Sequence, residues 1–95
     1  MFINTSIQES DQLNSVLVYP NPSAGEVYIQ LPELIEMAQV RLFDVSGKSV
    51  VLPSTVDFSA GLGRLDLTRF RGGIYYLQMT SGDQQVSRRL VLLGQ

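Results

Sequence analysis

The stretch that constrains the fold most is the C-terminal third of the chain, residues 65–93. Leu65 and Leu67 alternate with a polar residue, which is the pattern of a strand with one buried face. After a break that contains two glycines, Ile74–Thr80 is rich in aromatic and branched residues, and Val86–Leu93 returns beyond a polar turn. The stretch therefore predicts a strand, a tight connection and a long terminal hairpin. Its last strand must be packed, because its apolar side chains are costly to leave in water.

Upstream of this stretch, short alternating runs are separated by closely spaced turn signals. Such a pattern indicates a β-sandwich or a β-barrel rather than a helical domain. Pro32–Met37 is predicted to be a loop, although one helical turn is the alternative, and Ala60–Gly63 is predicted to be a flexible connection. The predicted strands are Val16–Tyr19, Glu26–Leu31, Ala38–Val45 and Ser49–Leu52, with Phe2–Ile7 and Thr55–Ser59 as weaker candidates.

The connection Phe70–Tyr75 narrows the choice between these architectures. A strand, a short crossover with glycines and a tyrosine early in the next strand resemble the corner of immunoglobulin-like sandwiches, where the tyrosine hydroxyl bonds back to the loop. We therefore predict an all-β fold: an immunoglobulin-like antiparallel β-sandwich of about seven strands with Greek-key connections.

Length and composition limit the function classes. Ninety-five residues make one domain, which we predict over residues 16–95, and the polar, aperiodic residues 1–15 are predicted to be a linker or lead-in that is partly disordered. The chain contains no cysteine and no histidine, which excludes disulfides, thiolate sites and histidine chemistry. A net charge of −2 without blocks of like charge argues against nucleic acid as a partner. No apolar run approaches the roughly 20 residues that span a membrane, so no membrane insertion is expected.

The residues that carry chemistry elsewhere form no recognisable site here. The acidic residues show no pairing, the serines lie in no nucleophile elbow, and Asp44–Gly47 is a better hairpin turn than a calcium loop, because aspartate accepts backbone hydrogen bonds and glycine takes a left-handed position. We therefore predict no enzyme activity, no metal and no cofactor. A sugar-stacking platform is the minor alternative for the four tyrosines, which pack at sheet edges or corners more often. They are Tyr19, Tyr28, Tyr75 and Tyr76.

Four arginines form the only basic cluster of the sequence, and two interpretations of it stay open. They are either solubilising charges that discourage edge-to-edge aggregation or a docking patch for an acidic partner. Arg88 and Arg89 point to opposite faces of the last strand, and one of them is oddly placed unless that strand lies at an edge. The other two are Arg69 and Arg71.

Four short motifs, in order, resemble the C-terminal sorting domains, type A-like, of the type IX (Por) secretion system of Bacteroidetes. The first is Val18-Tyr19-Pro20-Asn21-Pro22 with Gly25, and the second is Leu42-Phe43-Asp44-Val45-Ser46-Gly47-Lys48. The third joins Leu65-Asp66-Leu67 to Gly73-Ile74-Tyr75-Tyr76-Leu77, and the fourth is Arg88-Arg89-Leu90-Val91-Leu92. The chain departs from the family in two places: arginine stands where lysine is more usual, and the sequence ends Gly94-Gln95 rather than on a basic residue.

The resemblance implies a secretion signal that directs a cargo protein across the outer membrane and is recognised and cleaved by a surface sortase. It implies the secretion machinery and the sortase as partners, and passage through the periplasm to the cell surface or the medium. The contact surface is expected to include the final hairpin. The recognition candidates on the matching motifs are Tyr19, Pro20, Asn21, Pro22, Gly25, Asp44, Gly47, Lys48, Gly73, Tyr75, Arg88, Arg89, Leu90, Val91 and Leu92.

Two alternative functions share the predicted fold. An immunoglobulin- or fibronectin-like spacer would have the same corner and alternation without the first motif. An accessory carbohydrate-binding module would need aromatic rings on one exposed face, for which Tyr28 and Tyr76 are the candidates. An unpaired edge strand would also allow two copies to pair as a dimer.

Overall fold

The computed structural model describes residues 12–53 and 55–94, which form one short 3-10 helix, Gln12–Ser15, followed by eight strands. The strand predicted at Phe2–Ile7 lies outside the described residues, as do Ser54 and Gln95. The strands are β1 (Leu17–Tyr19), β2 (Glu26–Gln30), β3 (Gln39–Asp44), β4 (Ser49–Val50), β5 (Phe58–Ser59), β6 (Leu62–Asp66), β7 (Gly73–Ser81) and β8 (Gln84–Leu92).

The strands form two antiparallel sheets of four. Sheet I has the order β1-β2-β6-β5 and sheet II has the order β4-β3-β7-β8. Each sequential pair β1–β2, β3–β4, β5–β6 and β7–β8 is a neighbouring pair within one sheet, and the connections between these pairs cross from one sheet to the other. This is the strand order of an immunoglobulin-like sandwich, which confirms the predicted fold with eight strands instead of about seven.

The core lies between the two sheets and follows directly from the alternation in the sequence. In β2, Val27 and Ile29 are fully buried, while the residues on either side of them face outward. Leu77 in β7 and Leu90 in β8 meet this layer from sheet II. Burying each side chain of this size stabilises the fold by about 1.5–3 kcal/mol, so the sandwich needs no disulfide to hold it together.

The described end of the predicted linker is packed rather than free. Leu13, in the 3-10 helix, is 1% exposed and belongs to the core. Its N–H donates to the side-chain oxygen of Gln84 (2.8 Å), which ties this short helix to the start of β8. An apolar side chain and a hydrogen bond thus connect this turn to the sandwich. The division into a linker over residues 1–15 and a domain over residues 16–95 stays a prediction.

Two predicted connections are partly strand. The flexible connection Ala60–Gly63 is limited to a tight turn at Ala60 and Gly61, and β6 begins at Leu62. Gly63 lies within β6, and a Cβ there would lie 2.7 Å from Phe58 Cε1, so the ring of Phe58 favours glycine at this position. The turn of the last hairpin is also shorter than predicted, since β7 ends at Ser81 and β8 begins at Gln84. The loop predicted for residues 32–37 is confirmed.

Candidate recognition site

The loop between β1 and β2 lies along the outer edge of β8, and we call its residues 20–25 the clasp. The side chain of Asn21 donates from Nδ2 to the carbonyl oxygen of Arg89 (2.7 Å), and its Oδ1 accepts the N–H of Val91 (3.0 Å). A carboxamide presents a donor and an acceptor side by side, as a peptide unit does. Asn21 therefore satisfies the edge of β8 as the main chain of a neighbouring strand would.

Ser23 continues this pairing with its own main chain. Its N–H donates to the carbonyl oxygen of Val91 (2.9 Å), and its carbonyl accepts the N–H of Leu93 (2.8 Å). Its hydroxyl donates to the carbonyl of Glu26 (2.8 Å) and accepts the N–H of Gly25 (3.0 Å), so this residue is satisfied although it is only 1% exposed. The sequence reasoning missed Ser23. The available signal was a serine two residues before a glycine in a proline-rich turn.

The remaining clasp residues fix the shape of the loop. Pro20 and Pro22 are exposed, and their rings hold φ on either side of the asparagine. Gly25 has φ of 133°, and a Cβ on it would lie 2.7 Å from the Cα of Thr68. Its carbonyl accepts the N–H of Leu67 (2.6 Å), which joins the clasp to the end of β6. The glycine of the first motif is thus required by both the backbone angle and a close approach.

The apolar candidates of β8 divide between the core and the outer face. Leu90 and Leu92 are buried between the sheets, whereas Val91 is half-buried and faces outward. The clasp forms hydrogen bonds with both the N–H and the carbonyl oxygen of Val91. The closing strand is therefore held by core packing and by hydrogen bonds along its edge.

Arg88 and Arg89 face opposite sides of β8, as predicted, and β8 is an edge strand. Arg88 pairs with Leu77, whose side chain is buried, so its stem starts on the inner side. Its guanidinium leaves the sandwich at the open edge and donates to the carbonyl of Asn14 (2.6 Å) in the 3-10 helix. An inward-pointing charge on an edge strand hinders pairing with another chain. Arg89 is exposed on the outer face of sheet II, so the two residues have different surroundings.

The hairpin turn between β3 and β4 forms as the sequence predicted. Oδ1 of Asp44 accepts the N–H of Ser46 (2.9 Å), the hydroxyl of Ser46 (2.6 Å) and the N–H of Lys48 (3.0 Å). Gly47 adopts a φ of 88°. The hydrogen bond from the Ser46 hydroxyl, followed by that from the Lys48 amide, lowers the pKa of Asp44 from its ordinary value of 3.8. Three of the recognition candidates, Asp44, Gly47 and Lys48, therefore build a hairpin turn.

The predicted tyrosine corner is also present. The hydroxyl of Tyr75 donates to the carbonyl of Arg71 (2.7 Å), and the ring packs edge-on against Phe70 with centroids 6.1 Å apart. Gly73 begins β7 rather than ending the break before it. Gly72, which was not among the recognition candidates, packs closely against Gly94. A Cβ on Gly72 would be 2.6 Å from the Cα of Gly94.

The four tyrosines do not lie on one surface. Tyr19 and Tyr28 stack on the outer face of sheet I with ring centroids 5.9 Å apart, Tyr75 occupies the corner, and Tyr76 lies on the outer face of sheet II. The paired platform of Tyr28 and Tyr76 that a carbohydrate-binding module would need is therefore absent, since the two rings lie on opposite faces of the sandwich.

Among residues 12–53 and 55–94, no group of three or more carboxylate side chains is placed to hold a metal ion. No helix in the same part of the chain is long and apolar enough to cross a membrane. The candidate residues thus form a strand edge that is hydrogen-bonded to the clasp, the hairpin turn at Asp44 and the corner at Tyr75. Arg89 lies exposed on the outer face of sheet II.

A family model described as a secretion system C-terminal sorting domain matches residues 17–93. This range includes the clasp, the hairpin turn at Asp44, the corner at Tyr75 and the whole of β8. The chain is also 29% identical over 86 residues to ulvan lyase NLR42 of Nonlabens ulvanivorans. That alignment covers 90% of this chain and 16% of the lyase, so the chain spans only a small part of the length of this relative.

Proposed function

We propose that this chain, which belongs to the family of secretion system C-terminal sorting domains, directs a cargo protein across the outer membrane by type IX secretion. The observation that carries the proposal is the family match over residues 17–93. The family is defined by sorting and not by catalysis. In this proposal the chain acts as a folded sorting signal. Its destination is the cell surface or the medium, after transit through the periplasm.

The arrangement of the motifs supports a sorting signal that is recognised in its folded form. The first motif and the closing strand are separated by about 70 residues in the sequence and are joined by four hydrogen bonds. Because each is incomplete without the other, recognition of either motif would depend on the folded domain. A linear tail with the same closing sequence would lack the contacts of Asn21 and Ser23.

A surface sortase is the second partner in this proposal. After export, the sortase would cleave the polypeptide on the N-terminal side of the sandwich and release the sorting domain. Support comes from the family alone, and no cleavage position is assigned. The relative from Nonlabens ulvanivorans, a lyase by name, fits a modular arrangement in which the matched region is a minor part of a larger protein.

The test is an export assay. A fluorescent reporter with a periplasmic targeting signal is fused to residues 1–95 and produced in a Bacteroidetes strain with an active type IX system and in a secretion-deficient mutant of it. Reporter on the surface or in the medium of the first strain, and retained in the periplasm of the mutant, is the expected result. Retention in both strains would contradict the proposal and favour the spacer alternative, which shares the strand order.

A further inference from the structure

The outer face of sheet II carries a row of three residues that join separate motifs. Phe43 of β3 pairs with Tyr76 of β7, and Tyr76 pairs with Arg89 of β8. The three residues come from the second, third and fourth motifs in that order. Directly opposite residues on one face of a sheet have side chains in contact range, so this row forms one continuous strip across the sheet.

The outer face of sheet I carries a similar row, but that row is already satisfied. Tyr19 pairs with Tyr28 and Tyr28 with Arg64, which again gives two aromatic residues and one arginine. There the two rings stack, and Arg64 makes an ion pair with Glu26, with Nε donating at 2.9 Å. The hydroxyl of Tyr28 also donates to Glu26 (2.9 Å). The charge of Arg64 and the hydroxyl of Tyr28 therefore have their partner, Glu26, within the domain.

The row on sheet II has no such internal partner. In the part of the chain that the structure describes, neither Arg89 nor Arg41, on the same face two residues along β3, forms an ion pair. The outward residues of β3, β7 and β8 include no acidic side chain. They are Gln39, Arg41, Phe43, Ile74, Tyr76, Gln78, Thr80, Gln85, Ser87, Arg89 and Val91.

Apolar surface adjoins the two arginines. Ile74 is 38% exposed and pairs with the half-buried Val91, and Tyr76 beside them is 39% exposed. An aromatic and aliphatic centre between arginines has the composition of the energetically dominant part of protein–protein interfaces, in which tyrosine and arginine are enriched. The unneutralised guanidinium groups favour a partner that carries carboxylates.

We propose that the outer face of sheet II is the surface that docks on an acidic protein segment of the secretion machinery. In this complex Arg41 and Arg89 pair with carboxylates, and Phe43 with Tyr76 receives an apolar side chain of the partner. The inference rests on the proposed function and adds the face and the chemistry of the partner. A protein is favoured over a polyanion, because two arginines spread over a mostly neutral face are few for a surface that binds by charge alone.

The clasp gains a positioning role from this assignment. Asn21 holds the carbonyl of Arg89 and the N–H of Val91, so it fixes the backbone at two of the four β8 residues on the docking face. The first motif does not lie on the outer face of sheet II. It would therefore affect recognition through its hydrogen bonds to the closing strand.

The experiment uses matched substitutions on the two faces of residues 1–95 fused to the reporter. The docking-face variants are Arg41→Gln with Arg89→Gln, and Tyr76→Ser. The controls on sheet I are Arg64→Gln and Tyr28→Ser, which remove the same groups from the satisfied row. Thermal unfolding of each purified chain verifies that the fold is retained, and export is scored against the unaltered fusion.

Each docking-face variant is expected to lower export at least about fivefold at an unchanged unfolding midpoint, while the controls stay within about twofold. Equal export of all variants, or an equal loss on both faces, would overturn the proposal. Binding of the unaltered chain to phosphatidylglycerol vesicles that the double arginine variant lacks would assign the face to a membrane surface and overturn it as well. Failure of the sorting function itself is distinguishable, because the unaltered fusion would then not be exported.

Discussion

The two flanks of the sandwich are closed in different ways. On the flank formed by β1 and β8, main-chain and asparagine hydrogen bonds of the clasp join the sheets. On the opposite flank, β4 and β5 have two residues each, and no backbone hydrogen bond joins these strands within residues 12–53 and 55–94. A groove of about 780 Å³ remains there, and its lining includes Val40, Val56 and Phe58 together with polar residues such as Arg41 and Asp57.

The difference shows which contacts fix the register of a strand and which contribute only by burying apolar surface. Hydrogen bonds are directional, so the clasp fixes the register of the closing strand against the first motif. Apolar contacts depend mainly on the area removed from water, so the flank of β4 and β5 is packed without a fixed edge geometry. The first and the fourth of the four family-like motifs lie at the flank with directional contacts. The following predictions test this contrast.

The largest effect is expected from deleting residues 90–95. The deletion removes two buried leucines, each worth about 2–5 kcal/mol when truncated, and the strand to which the clasp binds. Since domains of this size are stable by about 5–15 kcal/mol, we expect loss of the fold in circular dichroism and loss of reporter export. Deleting only residues 94 and 95 is the control and should leave the fold intact. A cooperative unfolding transition or normal export for the longer deletion would contradict the prediction.

Gly25→Ala should be the most harmful single change at the clasp. The added Cβ would sit 2.7 Å from the Thr68 backbone at a φ of 133°, which we expect to cost roughly 2–4 kcal/mol in urea unfolding. The control is Gly82→Ala, where φ is 58° and no atom lies within 4 Å of the new Cβ. That variant carries only the backbone strain of about 1–2 kcal/mol. Equal costs at the two glycines would show that the contact with Thr68 is unimportant.

Asn21→Ala should open the edge of β8 without unfolding the domain. Two hydrogen bonds are lost, each worth about 0.5–1.5 kcal/mol, so the free energy of unfolding should fall by about 2 kcal/mol. Hydrogen exchange should accelerate at the amide of Val91, which Asn21 alone holds on that edge.

Asn21→Asp separates the two bonds, because it keeps an acceptor for Val91 but donates nothing to Arg89. Thr55→Ala on the opposite flank should change neither the stability nor the exchange at Val91. If Val91 exchanged at the same rate in Asn21→Ala as in the unaltered chain, the clasp would not control the closing strand.

Tyr75→Phe tests the corner beside the closed flank. The hydroxyl bond to the Arg71 carbonyl is lost, and we expect a cost of about 1 kcal/mol. Tyr76→Phe is the matched control, because no described residue is hydrogen-bonded to its hydroxyl. A larger loss of thermal stability for Tyr76→Phe than for Tyr75→Phe would reverse the roles assigned to the two rings.

The smallest effect concerns the turn that leads to β4, on the flank of β4 and β5. The pKa of Asp44 is lowered from 3.8 by the Ser46 hydroxyl and the Lys48 amide, so its stabilisation is complete above pH 3.8. That stabilisation is lost as the pH falls through the lowered native pKa. Asp44→Asn should therefore make unfolding less steeply pH-dependent below about 3.8, as measured by denaturant titrations at several pH values. An equal pH dependence of unfolding below about 3.8 for Asp44→Asn and for the unaltered chain would contradict this assignment.

The sequence determined those features of the protein that depend on neighbours in the chain. Alternation in residues 26–31 and 74–80 decided which side chains are buried, because successive residues of a strand point to opposite faces. The turn at Asp44 and the corner at Tyr75 could be predicted for the same reason, since their hydrogen bonds span only two to four residues. The opposite placement of Arg88 and Arg89 also followed from the period of the strand.

Only the tertiary structure decided which distant groups meet. Asn21 and Arg89 are 68 residues apart, and Arg64 reaches Glu26 across 38 residues. Nothing in the sequence alone distinguishes the neutralised Arg64 from Arg89 on the opposite face, because each is an arginine in an alternating strand. The strand order places Glu26 beside Arg64, whereas none of the described carboxylates forms an ion pair with Arg89. Local preference sets the direction of a side chain, whereas its partner depends on how the sheets are assembled.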